Sequence, residues 1–242
     1  MGLLSDIEAR FSSANGGYRF ARWGRPIVPV VFGVDDATLR LVKGAVEAVV
    51  SLAGHHMAET DAELGANLML FFVSEWDELL GVPNLDRLLD GLEPLVVRLK
   101  DQDAHHYRQF RFDDAGAIRA CFSFVRIKGA VAQMPAEALA LNEAVRMILC
   151  WSDRAFATTS PLAVADGIAV LRPDIADLIR AAYDPALPLA ASDPSHALRL
   201  AARLNGFNRQ CRSDEHLFPT TAFGRSRPIS LRRVFPAKVL HI

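Results

Sequence analysis

The stretch Leu141-Asn142-Glu143-Ala144-Val145-Arg146-Met147-Ile148-Leu149-Cys150-Trp151-Ser152-Asp153 decides how this chain is read. It reads as the second half of one helix, from Ala136 to about Trp151, with Pro135 at an N1-like position before it. Upstream, Tyr107 to Phe112 and Ala117 to Ile127 form a hairpin-like strand pair around Asp113-Asp114-Ala115-Gly116, a turn signal. Asn67 to Val73 reads as a strand buried on both faces. Ser74 is the expected cap of the short helix after it, with Asp77 in the box position. Leu85 to Leu99 reads as a helix interrupted at Pro94. Ile27 to Val34 is the first strand candidate, demoted toward an edge by Pro29. Asp35 or Asp36 then caps a helix from about Ala37 to Leu52, closed at Gly54. Residues 3–12 have weaker helical spacing. Downstream, Thr158 to Pro161 is a loop, Ile175 to Tyr183 a short helix stopped at Asp184-Pro185, and Ser195 to Leu204 a last helix. The order predicts an α+β domain with a mixed sheet.

The chain has 242 residues, 51% of them hydrophobic, which suffices for a packed core. Its formal net charge is −1, so the whole molecule does not advertise binding to nucleic acid or membrane. The basic residues are uneven. From Ala202 to Ile242 there are eight Lys or Arg against two acids, interleaved with Phe207, Phe218, Phe223 and Phe235. Three cysteines, Cys121, Cys150 and Cys211, share no metal spacing and suit free thiols in a reducing compartment. The N-terminus as written lacks a basic region followed by an apolar core, and no run is long and apolar enough for a membrane span. The expected location is cytoplasmic.

The quoted helix has the frame of a zinc-peptidase helix without the ligands. In His-Glu-x-x-His, two histidines four apart reach one metal, and the Glu between them activates the bound water. Glu143 occupies the Glu position, but Asn142 and Arg146 flank it, and a cation at 146 opposes zinc. Glu143 is therefore the candidate general base, and its bland counterpart is a helix residue paired with Arg146 at i,i+3. His55-His56 and His105-His106 are adjacent pairs, which is not a chelating spacing. Cys150, expected on the helix beside Trp151, and Cys121, in mid-strand, read as core thiols. No Gly-x-Ser-x-Gly, Gly-x-Gly-x-x-Gly or phosphate loop is present. Neither a metal nor a cofactor is expected.

Three segments narrow the comparison: Arg22-Trp23-Gly24-Arg25-Pro26-Ile27, then Cys121 with the helix from Glu143 to Asp153, then Leu171 to Leu187, with Pro173-Asp174 and Leu178…Tyr183-Asp184-Pro185-Ala186-Leu187. On these, the chain resembles a bacterial family of unknown function considered zincin-like, over roughly Tyr18 to Leu204. That family has a Trp-rich entry to its first strand, a Cys before the edge strand, and a motif helix of the form Glu-Leu-x-Gln-x-Leu-Gly-Leu-Pro-Asn-Asp. The last segment is the most specific match. The family's Gln falls on Arg146, its Gly on Leu149 and its Asn on Ser152. The resemblance implies a zincin-like mixed sheet backed by helices, with the motif helix at about 136–151.

The sequence thus predicts one zincin-like α+β domain over residues 1–204, with small helices at its end, and a basic C-terminal arm over residues 205–242. The expected function is that of a non-catalytic, pseudo-peptidase-like binding or assembly protein. Its partner would be another protein or a second copy, and its candidate binding residues include Asn142, Glu143 and Arg146. The alternative is a hydrolase with a non-standard site around Glu143. A third reading, less favoured, gives Arg225, Arg227, Arg232 and Arg233 of the tail to nucleic acid or an anionic partner.

Overall fold

A computed structural model describes residues 2–63 and 65–211, with side chains described as far as Gly206. The elements run α1 (Leu3–Phe11), β1 (Phe20–Ala21), β2 (Pro29–Phe32), α2 (Asp36–Leu52) and β3 (Leu68–Val73). A 3-10 turn (Trp76–Gly81), α3 (Leu85–Leu88), α4 (Leu92–Asp101), β4 (His106–Phe112), β5 (Ile118–Arg126) and α5 (Ala136–Ile148) follow. The rest is β6 (Leu162–Ala165), β7 (Ile168–Leu171), α6 (Pro173–Ala182), β8 (Ala190–Ala191) and α7 (Ser195–Cys211). This is the expected α+β fold. Among the described residues, no helix is long and apolar enough to cross a membrane.

The central sheet has the order β2-β3-β5-β4. β2, β3 and β5 are parallel, and β4 lies antiparallel on the edge, with Arg108 opposite Ser123 and Phe110 opposite Cys121. Strand side chains alternate between faces, so one strand serves two cores. Leu68, Leu70, Phe72, Cys121 and Val125 join α2 and α5 in the larger core. Phe71, Val73, Ala120, Phe122 and Phe124 pack with Trp76, Leu85, Leu92 and Val96 in the other. Both faces are covered, which is why β3 and β5 carry continuous apolar runs. Gly33, just past the end of β2, lies against the backbone of β3. A Cβ there would stand 1.9 Å from the Phe72 carbonyl oxygen, and φ is +84°.

Asp35 caps α2 as expected, its carboxylate accepting from the Thr38 N–H at 2.8 Å. Other boundaries differ for local reasons. The cap after β3 falls on Glu75 rather than Ser74, because Glu78 Oε1 accepts from both the Ser74 and Glu75 N–H groups. The break in the 85–99 region lies at Gly91 (φ +72°), and Pro94 sits in the first turn of α4, where a missing N–H costs nothing. α5 ends at Ile148, so Cys150 and Trp151 lie beyond the helix. The hairpin β6–β7, unforeseen from the sequence, turns through Asp166 (φ +51°) and Gly167 (φ +78°). α7 continues past Leu204 to Cys211.

The end of α5 is where distant segments meet. Its last carbonyls lack intrahelical donors. Aromatic side chains supply them: Trp151 Nε1 donates to Val145 O at 2.8 Å, Trp23 Nε1 to Met147 O at 2.9 Å, and Tyr183 Oη to Ile148 O at 2.8 Å. Arg22 donates to the Leu187 carbonyl at 2.9 Å, and the Cys150 N–H donates to Ala21 O at 2.9 Å. The entry segment, the motif helix and the 171–187 segment, read separately in the sequence, therefore converge on one knot.

Candidate functional site

Glu143 projects from α5 toward the sheet and is wholly buried (0% exposed). β5 and β4 bring its partners. Residues opposite each other across the antiparallel ladder share a face, so Ser123 and Arg108 both point at α5, as does His106 two residues before Arg108. Ser123 Oγ donates to Oε2 at 3.1 Å and Arg108 Nη2 donates to Oε2 at 3.0 Å. On Oε1, His106 Nδ1 lies at 3.1 Å and Asn142 Nδ2 donates at 3.1 Å. Both carboxylate oxygens are thus engaged twice. Burial works against ionisation, but the His106 hydrogen bond and the charges of Arg108 and Arg146 outweigh it and hold the carboxyl down at about 2.

The expected Glu143–Arg146 pair is absent. Among the described residues, Arg146 makes no ion pair; its Nε donates to Asn142 Oδ1 at 3.3 Å, and its guanidinium lies over the Phe156 ring at 5.1 Å from the centroid. Arg108, from the edge strand, takes the carboxylate instead. A residue at i+3 competes poorly with a fork arriving across the sheet face, because α5 turns position 143 inward and leaves 146 at its margin. At the C-terminal end of β4, exposed Arg19 lies over Phe112, 3.8 Å from the ring centroid. Cys121 is buried, which pushes its thiol up to about 12, and burial likewise raises Cys150 to about 11, with Arg19 and Arg108 acting against that rise. Neither sulfur is a ready nucleophile at neutral pH.

The structure brings Asn142, Glu143 and Arg146 together. Arg225, Arg227, Arg232 and Arg233 lie outside the described residues. The histidine pairs divide between two places. His55 Nε2 pairs with the Arg25 carbonyl at 2.9 Å near the end of α2, while His106 serves Glu143 on β4. Among the described residues, no group of three or more His, Cys, Asp or Glu is placed to hold a metal. Sequence reasoning missed His106, Arg108 and Ser123 as partners of Glu143. The signal available was alternation: a histidine and an arginine two residues apart on an edge strand share a face, and that face meets α5. Comparison of the chain with family profiles, with curated proteins and with solved structures returns no match.

Proposed function

We propose that this chain is a non-catalytic binding or assembly protein of zincin-like ancestry, in which the former general-base position has become a structural counter-charge. One observation carries the reading: Glu143 has no oxygen left for a substrate or an activated water. A general base needs a lone pair within reach of the proton it removes and a proton affinity near the working pH. Glu143 meets neither condition, since four donors surround its carboxylate and its pKa is depressed to about 2. The partner would be a protein or a second copy of the chain.

Glu143→Gln separates this reading from a hydrolase. As a counter-charge, Glu143 leaves the partly buried Arg108 without its anion when replaced, and stability falls by about 2–4 kcal/mol in urea unfolding. Wild-type protein then turns over no member of a peptide, amide and ester panel. Turnover that vanishes in the Gln variant while the unfolding free energy stays constant would overturn the proposal.

A further inference from the structure

The central sheet has two edges, and they are not alike. β2 is four residues long and begins at Pro29, which blunts an edge because proline has no N–H to offer. β4 is seven residues long, contains no proline or glycine, and is half-buried along most of its length. The irregularity in its pairing places the extra residue, Arg119, on β5 and leaves β4 itself regular. Its arginines do not guard the edge either: Arg108 turns to Glu143, and Arg111 donates to the Leu88 carbonyl. An inward charge normally opposes a further strand, but Glu143 already compensates Arg108.

The ladder fixes which backbone groups β4 presents. The Arg126 N–H donates to the His105 carbonyl, so these two residues form a hydrogen-bonded pair. Such pairs alternate along an antiparallel ladder. Tyr107, Gln109 and Arg111 therefore bond to β5, and His106, Arg108 and Phe110 turn their N–H and C=O groups outward. The Ile118 N–H donates to Arg22 O rather than to Phe112, so Phe112 joins the outward row. Among the described residues, no backbone group outside β5 bonds to this row. A second β4 laid antiparallel must set outward residues against outward residues, and only an axis through Gln109 does so over the whole strand. It places His106 against Phe112, Tyr107 against Arg111, Arg108 against Phe110, and Gln109 against itself. Each basic side chain then faces an aromatic ring, and no two like charges meet.

We propose that two copies of this chain associate through β4, antiparallel about a two-fold axis at Gln109, so that two four-stranded sheets become one. The proposal deepens the assembly reading and rests on Glu143 being the fixed counter-charge of Arg108. Sedimentation velocity over a concentration series tests it on the full chain. The expected result is a reversible equilibrium between monomer and dimer. Gln109 points away from α5, so its variants leave the partners of Glu143 in place. Gln109→Lys and Gln109→Glu should each weaken the dimer by about tenfold or more, because like charges then meet at the axis. An equimolar mixture of the two variants should regain the dimer, which a variant that merely failed to fold could not do. A wild-type chain that stays monomeric up to sub-millimolar concentration, a dimer indifferent to both variants, or a mixture no tighter than either variant alone would overturn the interface. That failure would leave the role of Glu143 standing, because turnover and unfolding of Glu143→Gln decide it.

Discussion

At the scale of single residues, two buried titratable groups make the fold acid-sensitive in separate windows. His196 is 1% exposed, and its Nδ1 pairs with Tyr18 Oη at 2.9 Å. Burial, reinforced by Arg199 and Arg22, lowers its pKa from 6.5 to about 4, so the fold holds it neutral. The unfolded chain takes up that proton first as pH falls below 6.5. Stability is therefore lost between 6.5 and about 4. Glu143 behaves as a depressed carboxyl: its contribution is complete above 4.5 and disappears as pH falls toward about 2. Unfolding free energies measured at pH 7 and pH 5 should show the first window alone. In His196→Leu the drop between those pH values should shrink by roughly 1–2 kcal/mol, although the variant is less stable throughout. An unchanged drop would mean that another group carries the acid response. Neither behaviour is visible in the sequence, where His196 is a lone histidine and Glu143 a helix residue. The sheet brings Arg108, Ser123 and His106 to Glu143, and the packing of α7 on the segment after α1 brings Tyr18 to His196.

At the scale of elements, α5 shows what local patterning can and cannot deliver. Its existence and its start after Pro135 were legible in the sequence, because they follow from propensity and period, whereas the burial of Glu143 on its inward face was not. Nor was its end. Nothing local stops a helix at Ile148 in a run that continues Leu149-Cys150-Trp151. The stop comes from elsewhere: Leu149 bridges Arg22, and the last carbonyls accept from Trp151, Trp23 and Tyr183. The same limit explains the unforeseen β6–β7 hairpin, whose Asp-Gly turn signal is short and whose strands have four residues each. Tyr183→Phe isolates one of these long-range caps. It removes the hydrogen bond to Ile148 O while keeping the ring, and should cost about 1–2 kcal/mol in chemical denaturation. A neutral outcome would assign the cap to Trp23 and Trp151 alone.

At the scale of the whole molecule, the parallel strands and their flanking helices were readable from apolar runs, whereas the pairing order β2-β3-β5-β4 was not. Strand order is set by which faces are left to cover once all elements exist, and no local window contains that information. The knot at the end of α5 has a consequence for how the chain opens. Its hydrogen bonds join Met147 to Trp23 and Ile148 to Tyr183, so they close long loops on both sides of one helix turn. Helix ends normally fray and exchange their amide protons rapidly. Here the final turn of α5 cannot open without releasing both the entry segment and the 171–187 segment. Native-state hydrogen exchange should therefore find the amides of Val145 to Ile148 among the slowest, exchanging only by global unfolding. Rapid local exchange there would show the knot to be a set of independent contacts. A chain fastened in this way resists piecemeal unravelling and opens as a single cooperative unit.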